Sequence, residues 1–151
     1  PLLVRWLRDL WREPGAYRSL TLMFQREVVD RIVARPGDRA YGRLAVLTAL
    51  SAAAAYRQFD VPAQAFTPPP KVTSAIVRID GRDSLPGPLV LFEAIEGVTA
   101  AAFGQRRKML RQSLKSVFPD PVAVLEELEI APTARAEELP PEAFLALAKR
   151  R

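Results

Sequence analysis

Five cations and no carboxylate lie between Phe103 and Val117, in the stretch Gln105-Arg106-Arg107-Lys108-Met109-Leu110-Arg111-Gln112-Ser113-Leu114-Lys115. On a helix, Phe103, Leu110, Leu114 and Val117 would share one side. Arg107, Arg111 and Lys115 recur every four residues and would form a second stripe, with Arg106 and Lys108 beside it. Like charges at that spacing cost an isolated helix about 0.2–0.5 kcal/mol per pair unless an anion lies opposite. A solvated surface helix is one reading. The lack of any acidic partner along the stripe points instead to a phosphate-binding surface.

A second candidate is Ala65-Phe66-Thr67-Pro68-Pro69-Pro70-Lys71-Val72. Three consecutive prolines fix φ and remove N–H donors, which makes the connection stiff and extended. A rigid aromatic beside a lysine suits stacking on a base with a phosphate nearby. The alternative is that Phe66 packs into the core and the prolines turn a corner.

Other chemistry is excluded by what the chain lacks. It has no cysteine and no histidine, which removes disulfides, thiolate chemistry, zinc-finger ligation and Ser-His or Cys-His catalysis; no metal site is expected. Gly37-Asp38-Arg39-Ala40-Tyr41-Gly42 has the outer spacing of a phosphate loop, but Arg43-Leu44 stands where Lys-Ser/Thr is required. No G-x-G-x-x-G occurs. The adjacent carboxylates Glu126-Glu127 and Glu137-Glu138 suit solubility and capping rather than catalysis.

The length of 151 residues allows one ordinary domain or slightly more, with a real core. An apolar fraction of 49% and a charged fraction of 26% are those of a globular protein. The net charge of +5 is carried almost wholly by arginine, the side chain suited to bidentate phosphate contact. No apolar run approaches the length needed to span a bilayer, and no signal peptide opens the chain. A cytoplasmic location without membrane contact is expected.

The elements that must position these residues are legible as patterns. Leu3, Trp6, Leu7 and Leu10 repeat at helical spacing, with Pro1 in the first turn and Pro14-Gly15 as the break. Leu20 to Phe24 is almost wholly apolar, which predicts a strand covered on both faces. Val28, Val29, Ile32 and Val33 mark a helix closed by Pro36-Gly37, and another runs from about Gly42 to Ala53 with Leu44, Leu47 and Leu50 inward. Tyr56–Val61 and Thr73–Ile79 read as strands, the second with Ala75, Val77 and Ile79 on one face. That order is the back half of an open α/β sheet. A turn-rich linker covers 81–88. Beyond it, helices are predicted over Leu89 to Phe103, the basic stretch, Val122 to Glu129 and Glu142 to Ala148.

These residues resemble a known family. Leu22-Met23-Phe24-Gln25-Arg26-Glu27-Val28-Val29-Asp30-Arg31-Ile32-Val33-Ala34, then Ala40-Tyr41-Gly42-Arg43-Leu44, then Phe66-Thr67-Pro68-Pro69-Pro70-Lys71-Val72-Thr73-Ser74-Ala75, then Phe103-Gly104-Gln105-Arg106-Arg107-Lys108 with Leu110-Arg111-Gln112-Ser113-Leu114 are collinear with the bacterial small-subunit ribosomal RNA adenine dimethyltransferases. The tail Arg135-Ala136-Glu137-Glu138-Leu139 is similar too. The related enzymes that modify large-subunit RNA share the plan, but the triple proline and the Ala40–Arg43 loop are closer to the small-subunit branch.

The resemblance implies an α/β fold: residues 1–80 as the second half of a Rossmann-like S-adenosylmethionine sheet, 81–88 as linker, and 89–151 as a small all-α, rRNA-recognising domain. It implies dimethylation of N6 on two adjacent adenines in a 3′-terminal hairpin of small-subunit rRNA, and a role in maturation of the 30S subunit. Phe66 would stack on the target adenine, while Lys71, Arg106, Arg107, Lys108, Arg111 and Lys115 would contact rRNA. The family's glycine-rich cofactor loop, its ribose-binding acid and its Asn-Leu-Pro-Tyr motif all precede the position of Pro1. The chain is therefore expected to correspond to the carboxy-terminal part only, with no S-adenosylmethionine site of its own, to be inactive alone, and to self-associate through its exposed half-sheet. A non-catalytic RNA- or ribosome-binding module is the alternative.

Overall fold

The computed structural model describes residues 2–151; the role of Pro1 in the first turn lies outside the described residues. Helix α1 (Leu2–Arg12) buries Leu3, Leu7, Leu10 and Trp11. Trp11, rather than Trp6, is the inward aromatic, and its Nε1 donates to Ser51 Oγ at 2.8 Å. Gly15 turns the chain with φ 86°, where a side chain would be strained. There follow β1 (Ser19–Gln25), α2 (Arg26–Val33), α3 (Arg43–Ser51), β2 (Ala54–Val61) and β3 (Ser74–Asp80). The remainder is helical: α4 (Leu89–Gly104), α5 (Leu110–Ser113), α6 (Pro121–Glu127) and α7 (Pro141–Ala148).

The sheet has the order β1-β3-β2, with β3 antiparallel to both neighbours. β1 and β2 therefore run parallel to each other and finish at the same end. Leu22 faces Val77 and Phe24 faces Ala75 across one ladder. In the other, a bulge at Gln58 shifts the register between Arg57 and Phe59. Gly81 ends β3 against the Tyr17 carbonyl, a contact too close to admit any Cβ.

β1 departs from the sequence expectation. It alternates half-buried with exposed positions instead of being covered on both faces. Leu20, Leu22 and Phe24 pack on the core with Ala75, Val77 and Ile79, whereas Met23 is 49% exposed and Phe59, across Ile76, is 59% exposed. The physical reason is that the helices in contact with the sheet all pack against its Ala75–Val77–Ile79 face. An apolar run cannot by itself announce which of its faces is covered.

The basic stretch is also different from what its spacing predicts. α4 ends at Gly104, Gln105 to Lys108 form turns, and Met109 is extended at φ −67°, ψ 151°. Only Leu110–Ser113 is α-helical, and Leu114–Ser116 continues as a 3₁₀ turn. Arg107, Arg111 and Lys115 therefore do not share one helical stripe. Self-repulsion at four-residue spacing disfavours the continuous helix. The new helix start is satisfied from elsewhere: Leu110 N–H donates to the Ala134 carbonyl at 2.8 Å and Arg111 N–H to that of Pro132 at 3.1 Å. The apolar assignment survives the break, since Leu110 and Leu114 are fully buried.

One hydrophobic cluster runs from α1 to α7 and crosses residues 81–88. Trp11 meets Phe92 of α4 with ring centres 5.5 Å apart, and Phe103 touches both Tyr41 (5.8 Å) and Phe144 (5.3 Å). Tyr41 is wholly buried, and its hydroxyl donates to the Leu139 carbonyl at 2.8 Å. Burial, reinforced by Glu142, pushes that hydroxyl's pKa far up, so it remains a donor. Tyr41→Phe leaves the Leu139 carbonyl without this donor in a dry site. A loss of about 1–3 kcal/mol of unfolding free energy is expected in urea titration. A variant as stable as the parent chain would show that this bond does not hold the two parts together.

Candidate nucleic-acid interface

Phe66 stands on the connection from β2 to β3. It closes the 3₁₀ turn Ala63–Ala65, its N–H donating to the Ala63 carbonyl at 3.2 Å. The side chain is half-buried and belongs neither to the core cluster nor to the residues packed against it. The following Thr67–Pro68 peptide is cis, and Lys71 is exposed. This connection lies where β1 and β2 end, since Gln25 and Val61 both pair with Ser74. Arg26 N–H fastens it, donating to the Thr73 carbonyl at 3.0 Å. The carboxyl ends of parallel strands are where open α/β sheets take ligands.

The basic stretch divides into two kinds of residue. Arg106 is engaged by the fold: its guanidinium donates to the carbonyls of Arg39 (3.2 Å) and Tyr41 (3.1 Å) and lies 3.7 Å from Glu137. The premise that the stretch has no acidic neighbour is therefore corrected at this position. Glu137 is distant in sequence and reaches Arg106 only through the fold. Arg107, Lys108, Arg111 and Lys115 are exposed and form no ion pair among the described residues.

Arg106 also helps line a cleft of about 670 Å³ between α2, the Arg39–Gly42 loop, α3 and Phe103. Its other guanidiniums come from Arg31, Arg39 and Arg43, and its carboxylates from Glu27 and Asp30. Neither Phe66 and Lys71 nor Arg107, Lys108, Arg111 and Lys115 line it. Arg31, Arg39 and Arg43 were not singled out by sequence reasoning. A signal existed for Arg43, a cation at the first residue of α3, where the helix dipole favours an anion. Its charge is met by Glu96 at 3.1 Å.

Among the described residues no group of His, Cys, Asp or Glu could hold a metal ion. Nor do they fit S-adenosylmethionine. The connections at the carboxyl ends of β1 and β2 contain no glycine, and Gly15 and Gly37, which have positive φ, lie in turns elsewhere. Among the described residues no helix is long and apolar enough to cross a membrane.

Among solved structures, the chain resembles a dimethyladenosine transferase from Plasmodium falciparum, with a TM-score of 0.74 and 25% identity over 92% of this chain and 59% of that one. It also resembles the 23S rRNA methyltransferase ErmE, with a TM-score of 0.61 and 25% identity over 98% of this chain and 59% of that one. The α/β architecture is thus a part of the fold these two enzymes share. Residues 1–151 match the model of the family described as ribosomal RNA adenine dimethylase, and the chain belongs to that family. It is 55% identical over 148 residues to ribosomal RNA small subunit methyltransferase A of Phenylobacterium zucineum, covering 98% of this chain and 49% of that protein. It is 58% identical to the protein of the same name from Azorhizobium caulinodans, covering 97% and 49%. The chain spans about half the length of the curated relatives it matches.

The position of Phe66 outside the core has a measurable consequence. Phe66→Ala should change stability by no more than about 0.5 kcal/mol. Phe92→Ala, which empties a fully buried site, should cost about 3–5 kcal/mol. Thermal melts of the two variants side by side check this, and equal losses would mean that Phe66 is part of the core.

Proposed function

We propose that this chain supplies the carboxy-terminal half of a cytoplasmic, S-adenosylmethionine-dependent rRNA adenine-N6,N6-dimethyltransferase. Its substrate is a pair of adjacent adenines in a 3′-terminal hairpin of small-subunit rRNA, within the immature 30S subunit. The observation that carries the reading is the family match along the whole chain, at 55% and 58% identity to two small-subunit methyltransferases. In this reading residues 1–80 complete the Rossmann-like sheet, 81–88 link, and 89–151 present the helical rRNA-recognition surface.

The chain's own residues bind and orient. Phe66, held on a short turn at the carboxyl end of the sheet, offers its ring to a flipped adenine. Stacking fixes the plane of the base and hence the direction of its amino group. Lys71 lies five residues further on and meets a neighbouring phosphate. Arg107, Lys108, Arg111 and Lys115 neutralise backbone phosphates and set register rather than read sequence. Arg106 reaches rRNA only with what its contacts to Arg39, Tyr41 and Glu137 leave free. The methyl group comes from S-adenosylmethionine, whose seat is assigned to the other half of the parent enzyme.

The absence of a cofactor cradle among the described residues favours a second reading for the chain taken alone, a non-catalytic RNA- or ribosome-binding module. One experiment separates the two. Phe66→Ala in a parent enzyme of full relative length should weaken methyl transfer to immature 30S subunits by about 1–3 kcal/mol of transition-state binding. The isolated chain should give neither heat with S-adenosylmethionine in calorimetry nor turnover. Transfer that is indifferent to Phe66 would remove its stacking role, and turnover by the isolated chain would require a cofactor site within 1–151.

The same reading assigns the bare outer face of the sheet, with Met23 and Phe59, and the free edge of β1 to contacts with the other half. In its absence a second copy of the chain is proposed to cover them. The isolated chain should dimerise with rising concentration in sedimentation, and Met23→Lys with Phe59→Lys should keep it monomeric. A chain that is monomeric at every concentration would refute this pairing.

A further inference from the structure

α1 carries a basic feature that neither the core nor the stretch after α4 accounts for. Arg5, Arg8 and Arg12 follow one another at three- and four-residue spacing and stand on the side of the helix opposite Leu3, Leu7 and Leu10. With Arg43 of α3 they wall a cleft of about 660 Å³, completed by Val4, Asp9 and Glu96. Glu96 of α4 pairs with both Arg8 and Arg43, and the Phe92 ring centre lies 6.0 Å from the Arg8 guanidinium carbon. Two of the four arginines are thereby held in place while still 37% and 44% exposed.

The other two are free to adapt. Arg12 has only a loose pair with Asp9, at 3.6 Å, and remains 60% exposed. Arg5 is exposed and has no ion pair among the described residues. Four guanidiniums against two carboxylates leave the cleft positive. Arg43 lines this cleft and also the one containing Arg39 and Arg106, so the two meet at a single side chain. A protein partner would want an apolar centre to the contact. Here Val4 is the sole apolar lining residue. A lining dominated by arginines, with more polar than apolar surface, suits a phosphate backbone.

We propose that the exposed face of α1, with Arg43, is a second seat for the backbone of a structured RNA, continuous with the cleft of Arg39 and Arg106. The proposal rests on the RNA-binding reading above and extends it to an element outside the basic stretch. Two fixed guanidiniums define the track, and Arg5 and Arg12 close on phosphates from the α1 side.

The test is the salt dependence of binding to deproteinised small-subunit rRNA. It compares the unaltered chain with Arg5→Gln/Arg12→Gln, with Arg107→Gln/Lys108→Gln, and with the equally charged control Arg18→Gln/Lys149→Gln. Each lost phosphate contact lowers the slope of log K against log salt by about 0.7–0.9. The α1 variant should therefore lose about 1.4–1.8 of slope, as the basic-turn variant does, while the control barely changes. All six substituted side chains are exposed, and melting curves establish that the variants fold. An unchanged slope for the α1 variant beside a reduced one for the basic-turn variant overturns the second seat and leaves the RNA reading standing. So does an equal loss in the control, which would mark a general charge effect. No measurable binding by the unaltered chain, or no change in any variant, overturns both.

Discussion

β3 is the constraint on which the rest of the structure rests. Among the described strands it alone has a partner on each side, so neither β1 nor β2 belongs to a sheet until residues 74–80 are in place. Its alternation then decides the fold: Ala75, Val77 and Ile79 are shut away while Ile76 and Arg78 are not. Because helices cover only that one face, the apolar surface of α1, α3 and α4 must find partners among the helices themselves. They do so through Trp11, Phe92, Tyr41, Phe103 and Phe144. The segment after residue 88 is consequently part of the same core, whatever separate history its composition suggests.

This arrangement explains the distribution of polar chemistry. Residues that touch solvent at the end of β1 and β2 are carried on a connection with little packing of its own, which leaves Phe66 available. The cations lie mainly at helix ends and turns: Arg43 opens α3, Arg106 to Lys108 follow α4, and Lys115 sits in the 3₁₀ turn after α5. Such positions anchor the backbone firmly and leave the side chains of Arg107, Lys108 and Lys115 unpaired among the described residues, as the proposed contacts to a phosphate backbone require.

Much of this was legible in the sequence. The order of helices and strands and the inward residues Leu47, Leu50, Val77 and Leu110 follow from period and punctuation alone. The failures share a cause. The continuous basic helix was inferred from spacing, but its start is decided by carbonyls of Pro132 and Ala134, twenty-odd residues away in sequence. Glu137, the acidic partner of Arg106, and Glu96, that of Arg43, are likewise invisible until the chain folds. The half-covered state of β1 depends on which face the helices take, which an unbroken apolar run does not encode. The roles proposed for Phe66 and Lys71 rest on the stiff triple-proline connection that carries them and on motif resemblance, since a lone aromatic among prolines has no period to interpret.

Arg106 has a consequence for thermodynamics. By gripping the Arg39 and Tyr41 carbonyls it ties down the backbone that bears Arg107 and Lys108 before any anion arrives. A loop without that tie would have to surrender its conformational freedom at the moment of association. Removing the tie would leave the charges of Arg107 and Lys108 intact and make the capture of an anion proposed for them entropically harder.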